Sequence, residues 1–117
     1  MSLSLTRSTK VNRKGVVYFD GVRCGIISET DNGFEFRYDE AWLINGLAHA
    51  ISLTLPLQKE SFVTETFFPF FDGLIPEGWL LEVATKNWKI DSHDRMGLLL
   101  LACRDPIGAV SVIPFKG

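Results

Sequence analysis

The chain has 117 residues, 46% of them apolar, and a net charge of −2. That is the size of one domain, long enough to bury a core without a disulfide or metal to hold it. It lacks the basic excess of a self-sufficient nucleic-acid binder. No apolar run reaches the ~20 residues of a membrane helix. The start, Met1-Ser2-Leu3-Ser4-Leu5, lacks the long apolar core of a signal peptide, so the expected location is the cytoplasm. Cys24 and Cys103 form no C-x-x-C pair and have no nearby histidine, so two reduced, mostly buried thiols are expected.

Residues 1–13 are polar and carry Arg7, Lys10 and Arg13, which reads as a flexible basic arm. A single domain is expected over 14–117. Val16-Val17-Tyr18-Phe19, the turn Asp20-Gly21 and the return run from Val22 to Ser28 predict a hairpin. A second turn at Thr30-Asp31-Asn32-Gly33 leads into Phe34-Glu35-Phe36-Arg37-Tyr38. That stretch alternates three aromatics with two charges, the period of a half-buried antiparallel strand. Asp39 is placed to cap a short helix through Leu43. Ile51-Ser52-Leu53-Thr54-Leu55 alternates again and ends at Pro56, which predicts a further strand. Residues 61–71 read as short helical pieces divided by Pro69.

Beyond Gly73, the stretch Pro76-Glu77-Gly78-Trp79 opens a helix whose residues Trp79, Leu80, Val83, Ala84 and Asn87 share one side. Asp91-Ser92 is expected to cap a last, buried helix from His93 to about Ala102. The β-branched run from Ile107 to Pro114 predicts a closing strand that returns to the sheet. The fold class is therefore α+β. It comprises a small, mostly antiparallel sheet or partly closed barrel, the front-half meander plus the C-terminal strand, with two to four short helices from the back half.

Catalytic patterns are missing. The ten glycines form neither a P-loop nor a dinucleotide fingerprint, and His49 and His93 stand alone. Asp72 and Glu77, five positions apart, have the residue types of an acid/base pair. Each also has a structural use, Asp72 in a turn before Gly73 and Glu77 at a positive helix end. Neither a cofactor nor a metal is expected. The aromatics carry more information: five fall within 67–79. Pro69 prevents the Phe67-Phe68-Pro69-Phe70-Phe71 rings from sharing one helical face. Most are expected in the core and some at the surface, where aromatics anchor protein interfaces.

Phe70-Phe71-Asp72-Gly73-Leu74-Ile75-Pro76-Glu77-Gly78 resembles the F-F-x-x-L-L-P-E-G signature of the N-terminal subdomain of HipA-type toxin kinases. The segments 34–39 and 51–57 are similar to that subdomain's F-x-Y-x and S-L-S-L-P-L patterns. Arg104-Asp105-Pro106-Ile107-Gly108-Ala109-Val110 is similar to its G-R-D-x-x-G-A-V end, with Cys103 where the family usually has glycine. The match covers roughly 15–114. The chain stops at Gly117 without the ATP site, catalytic Asp or metal-binding Asp of such kinases, so a freestanding, non-enzymatic copy is expected, similar to the HipS component of tripartite HipBST toxin–antitoxin systems.

That resemblance implies an antitoxin, monomeric when free, that neutralises a separate HipA-like (HipT) serine/threonine kinase. A HipB-like helix-turn-helix protein is the third component. The partner-binding candidates are Trp79 first, then Phe68 and Phe71, with Glu77 and Asp72 beside them. Two alternatives stand. One is a non-inhibitory scaffold or co-repressor linking the kinase to the DNA-binding partner; the other is an excised piece of a longer kinase.

Overall fold

The sheet starts from one hairpin. Strand β1 (Lys14–Phe19) turns into β2 (Val22–Glu29) through Asp20 and Gly21, which have φ of 51° and 82°. Both central residues at positive φ give the twist that closes a two-residue hairpin, and Asp-Gly suits them. Strand β3 (Phe34–Tyr38) follows, then helix α1 (Glu40–Ile44), strand β4 (Phe62–Thr64) and helix α2 (Pro69–Asp72). Helix α3 (Arg95–Ala102) and strand β5 (Val110–Pro114) complete these elements. The computed structural model describes residues 12–45, 49–75, 93–102 and 109–115.

The strand order is β4-β3-β2-β1-β5, and every neighbouring pair is antiparallel. The sheet is open, with β4 and β5 as its edges, so the barrel alternative is not formed. The meander and the returning β5 stand where the hydrophobic alternation puts them. One face of β3 buries Phe36 and Tyr38 while Arg37 on the other is exposed. Helix α3 covers the core side with Met96, Leu98 and Leu99, all buried; Leu101 is the partly exposed exception to an all-round buried helix.

Four local expectations are corrected. Residues 51–55 are not a strand but a tight turn closed by a single Ser52–Leu55 bridge. The Tyr38 hydroxyl explains this: it accepts the Ile51 N–H at 3.0 Å and donates to the Leu55 carbonyl, so the chain wraps around one buried group. The front of 61–71 is strand β4 rather than helix, because Phe36 and Phe34 offer free ladder positions to Phe62 and Thr64. Helix α1, moreover, comes from the front half. Asp39 sits at its N-cap with extended backbone but makes no side-chain cap; its carboxylate takes the Arg23 Nε at 2.7 Å instead.

The last correction concerns α3, which starts at Arg95 with Asp94 capping it. Asp94 Oδ1 accepts the Gly97 N–H at 3.1 Å, the geometry of a helix N-cap. Asp91, Ser92, Cys103 and the expected helix after Pro76 lie outside the described residues.

Candidate partner-binding face

The aromatic stretch divides into rings that hold the fold and a turn that leads out of it. Phe71 is fully buried and packs on Phe36 at 5.4 Å between ring centroids. Phe68 is 7% exposed and stands edge-on to Phe71 at 5.9 Å. Phe67 meets Phe34 edge-on at 5.0 Å. Such offset and edge-to-face pairs are the favoured ring geometries. Phe68 and Phe71 therefore have almost no surface to offer a partner; their contacts serve this chain's own core. Phe70, half-buried, and Pro69, exposed, form the outer side of the same turn.

Pro69 suits the first turn of α2, where its missing N–H costs nothing. The turn then tightens. Asp72 N–H bonds the Phe68 carbonyl at 2.9 Å, Gly73 N–H that of Pro69 at 3.0 Å, and Ile75 N–H that of Asp72 at 3.2 Å. Ile75 is buried and ends the segment at a fixed point. Trp79 and Glu77, the next two candidates, lie outside the described residues. In place of the side-chain turn expected before Gly73, the Asp72 carboxylate pairs with Arg95 Nε at the start of α3. That pair fixes α2 against α3.

A second ion cluster meets the same N-terminal end of α3. Arg13, the last residue of the basic segment, binds Glu29 through Nε at 2.9 Å and Nη2 at 2.8 Å, and Asp94 through Nη1 and Nη2 at 3.0 and 2.7 Å. These hydrogen bonds hold the Asp94 carboxyl below its ordinary range against the cost of burial. Burial pushes Glu29 upward, but the hydrogen bonds and charge of Arg13 outweigh it and the net shift is downward. The buried, free thiol of Cys24 is pushed up to about 12 by desolvation and by the Asp39 charge, so it is a core group and not a nucleophile. His49 is exposed, its ring edge-on to Phe19 at 4.4 Å. Among the described residues no group of three or more His, Cys, Asp or Glu is placed to hold a metal, and no helix is long and apolar enough to cross a membrane.

Two depressions flank the 51–55 turn, features that the sequence does not signal because they join distant segments. One, of about 200 Å³, is lined by Thr54, Leu55, Phe62, Val63, Phe68 and Phe70. The other, about 480 Å³, lies between Leu43 and Ile44 of α1 and Leu57, Gln58 and Lys59. Leu53 at the tip of the turn is wholly exposed.

The described residues thus form an open antiparallel sheet with short helices, aromatic packing under a tight turn and apolar depressions beside it. Residues 15–113 match the HipA N-terminal domain, and the chain belongs to that family. It is 33% identical to an uncharacterized protein of Haemophilus influenzae over 100 residues, covering 86% of this chain and 91% of that protein. It is 30% identical to the candidate kinase Y4mE of Sinorhizobium fredii over 99 residues, covering 84% of this chain but spanning only 24% of that protein. In three dimensions it is similar to the N-terminal domain of HipA toxin, with a TM-score of 0.70, 28% identity, and coverage of 92% of this chain and 96% of that one.

Proposed function

We propose that this protein is an antitoxin that binds and neutralises a separate HipA-like serine/threonine kinase of the HipT type, without catalysis of its own. One observation carries the reading. The same unit of about 100 residues makes up 91% of one relative and 24% of another, the candidate kinase. A unit found both nearly alone and as part of a kinase-sized chain is suited to meet the rest of that kinase as a separate molecule. A HipB-like helix-turn-helix protein is the third member of the assembly in this reading.

The contact centres on Trp79, which follows the rigid 67–75 turn. Phe68 and Phe71 act indirectly, by packing the turn that precedes it in the chain, and Asp72 by holding α2 to α3. Glu77 stands next to Trp79 at the start of the same segment. An indole set beside the kinase nucleotide loop holds the active site open. Nanomolar binding requires about −12 kcal/mol, and one desolvated tryptophan anchor supplies about 2 kcal/mol or more of it.

The test is kinase autophosphorylation with and without this protein, using the cognate HipA-like kinase. Inhibition by the wild type and a loss of about 30-fold or more in affinity for Trp79→Ala are expected. A folded Trp79→Ala protein that inhibits as well as the wild type overturns the role of the indole. Binding without inhibition, with a changed operator footprint, turns the assignment to a scaffold or co-repressor.

A further inference from the structure

Among the described residues β4 is an edge strand of the sheet, and a pocket lies beside it. Hydrogen-bond direction in an antiparallel sheet alternates residue by residue. Asp39 N–H bonds the Cys24 carbonyl and Thr30 N–H the Gly33 carbonyl. The odd residues of β3 therefore face β2, and the even ones, Phe34 and Phe36, face β4. Their partners Thr64 and Phe62 bond inward. Val63 is left with both its N–H and its C=O directed away from the sheet, and the residue is 74% exposed. Among the described residues nothing pairs with this edge.

The opposite edge is different. By the same alternation Val110, Val112 and Pro114 present the outer side of β5, and Pro114 has no N–H to give. Proline on an edge discourages strand addition. The β4 edge has no such block, and the pocket of about 200 Å³ opens directly beside it, walled by Phe62, Phe68, Phe70 and Leu55. A strand laid along Val63 would put the residues on either side of its paired position onto the core-side face, where the pocket lies. Main-chain pairing with a side-chain pocket at the alternate position is the arrangement by which sheet edges take extended peptides.

We infer that β4 receives an extended segment of the kinase partner, which pairs with the Val63 main chain and seats one apolar side chain in the Phe62–Phe68–Phe70 pocket. The inference rests on the kinase-binding reading. It adds a second, main-chain-directed contact to the one made by Trp79.

Amide hydrogen exchange on the full chain, free and with the cognate kinase, tests it. The Val63 amide is expected to exchange rapidly when free and to be protected in the complex. Val63→Pro removes an N–H that the sheet does not use, so the fold survives while binding falls about 5-fold, the worth of one main-chain hydrogen bond. Thr54→Phe, which fills the pocket from its exposed rim, is expected to weaken binding likewise. A complex that forms with unchanged exchange at Val63, or full affinity in folded Val63→Pro, overturns this inference and leaves the kinase-binding reading intact. No complex at all overturns both.

Discussion

Arg13 and Asp94, 81 residues apart, meet through two hydrogen bonds of 3.0 and 2.7 Å. One guanidinium thereby ties the entry to β1 to the first turn of α3, because Asp94 also caps that helix through the Gly97 N–H. Glu29 on β2 accepts from Arg13 Nε, Nη2 and the backbone N–H, the last at 2.8 Å. The helix that covers the sheet is thus registered to the sheet's central hairpin by charge as well as by packing.

This cluster sets a pH dependence. Asp94 and Glu29 both have folded-state pKa values below their unfolded ones. Their contribution is fully present above the unfolded carboxylate range, near pH 4, and is lost as pH falls through the lower, folded values. Denaturant midpoints measured between pH 7 and pH 3 are expected to fall in the wild type. Arg13→Ala is expected to be less stable at pH 7 by about 1 kcal/mol, a figure discounted because Arg13 and Asp94 are each 36% exposed. Its stability should also fall less steeply on acidification. An equal acid response in both proteins assigns the carboxylate shifts to other contacts.

The Tyr38 hydroxyl has the opposite environment. It is buried, and burial raises its pKa. It satisfies the Ile51 N–H and the Leu55 carbonyl together. Tyr38→Phe leaves the ring packing on Phe36 in place but strands two backbone groups, a cost of about 1–3 kcal/mol. The expected result of equilibrium unfolding is a loss in that range with the 51–55 turn loosened, seen as faster amide exchange at Ile51. Unchanged stability means that water replaces the hydroxyl.

That hydroxyl also marks where the sequence was legible and where it was not. The Asp-Gly turn and the aromatic alternation of 34–38 are local signals, and both elements form as they predict. The alternation of 51–55 is just as clean, yet Ile51 and Leu55 are buried because a side chain 13 and 17 residues away fastens them, not because a neighbouring strand does. Strand β4 was obscured by Thr64-Glu65, which reads as a helix start. The β-branched pair Val63-Thr64 was the signal for it, and the unpaired side of β3 decides it. At the candidate face, aromatic enrichment singled out the segment 67–71 but could not rank its rings by burial. Burial ranks them, since it depends on what Phe36, Met96 and Leu99 do from elsewhere in the chain.

Phe71 makes that ranking testable. It is the most buried ring of the segment 67–71, with Phe36, Phe68 and Phe70 around it. Truncation to alanine removes about 3–5 kcal/mol. Set against a total of about 5–15 kcal/mol for a whole domain, that is enough to unfold a large part of the population. Any loss of partner binding in Phe71→Ala would then reflect loss of fold rather than loss of contact. Phe71→Leu separates the two effects, since it keeps most of the apolar volume at a cost of about 1–2 kcal/mol. It is expected to melt earlier but to bind the cognate kinase with wild-type affinity at a temperature where it remains folded. If folded Phe71→Leu binds tenfold more weakly, the ring reaches the partner directly and the segment opens on binding. If affinity holds while Trp79→Ala loses it, the rings before Gly73 serve the fold and the indole after it serves the interface.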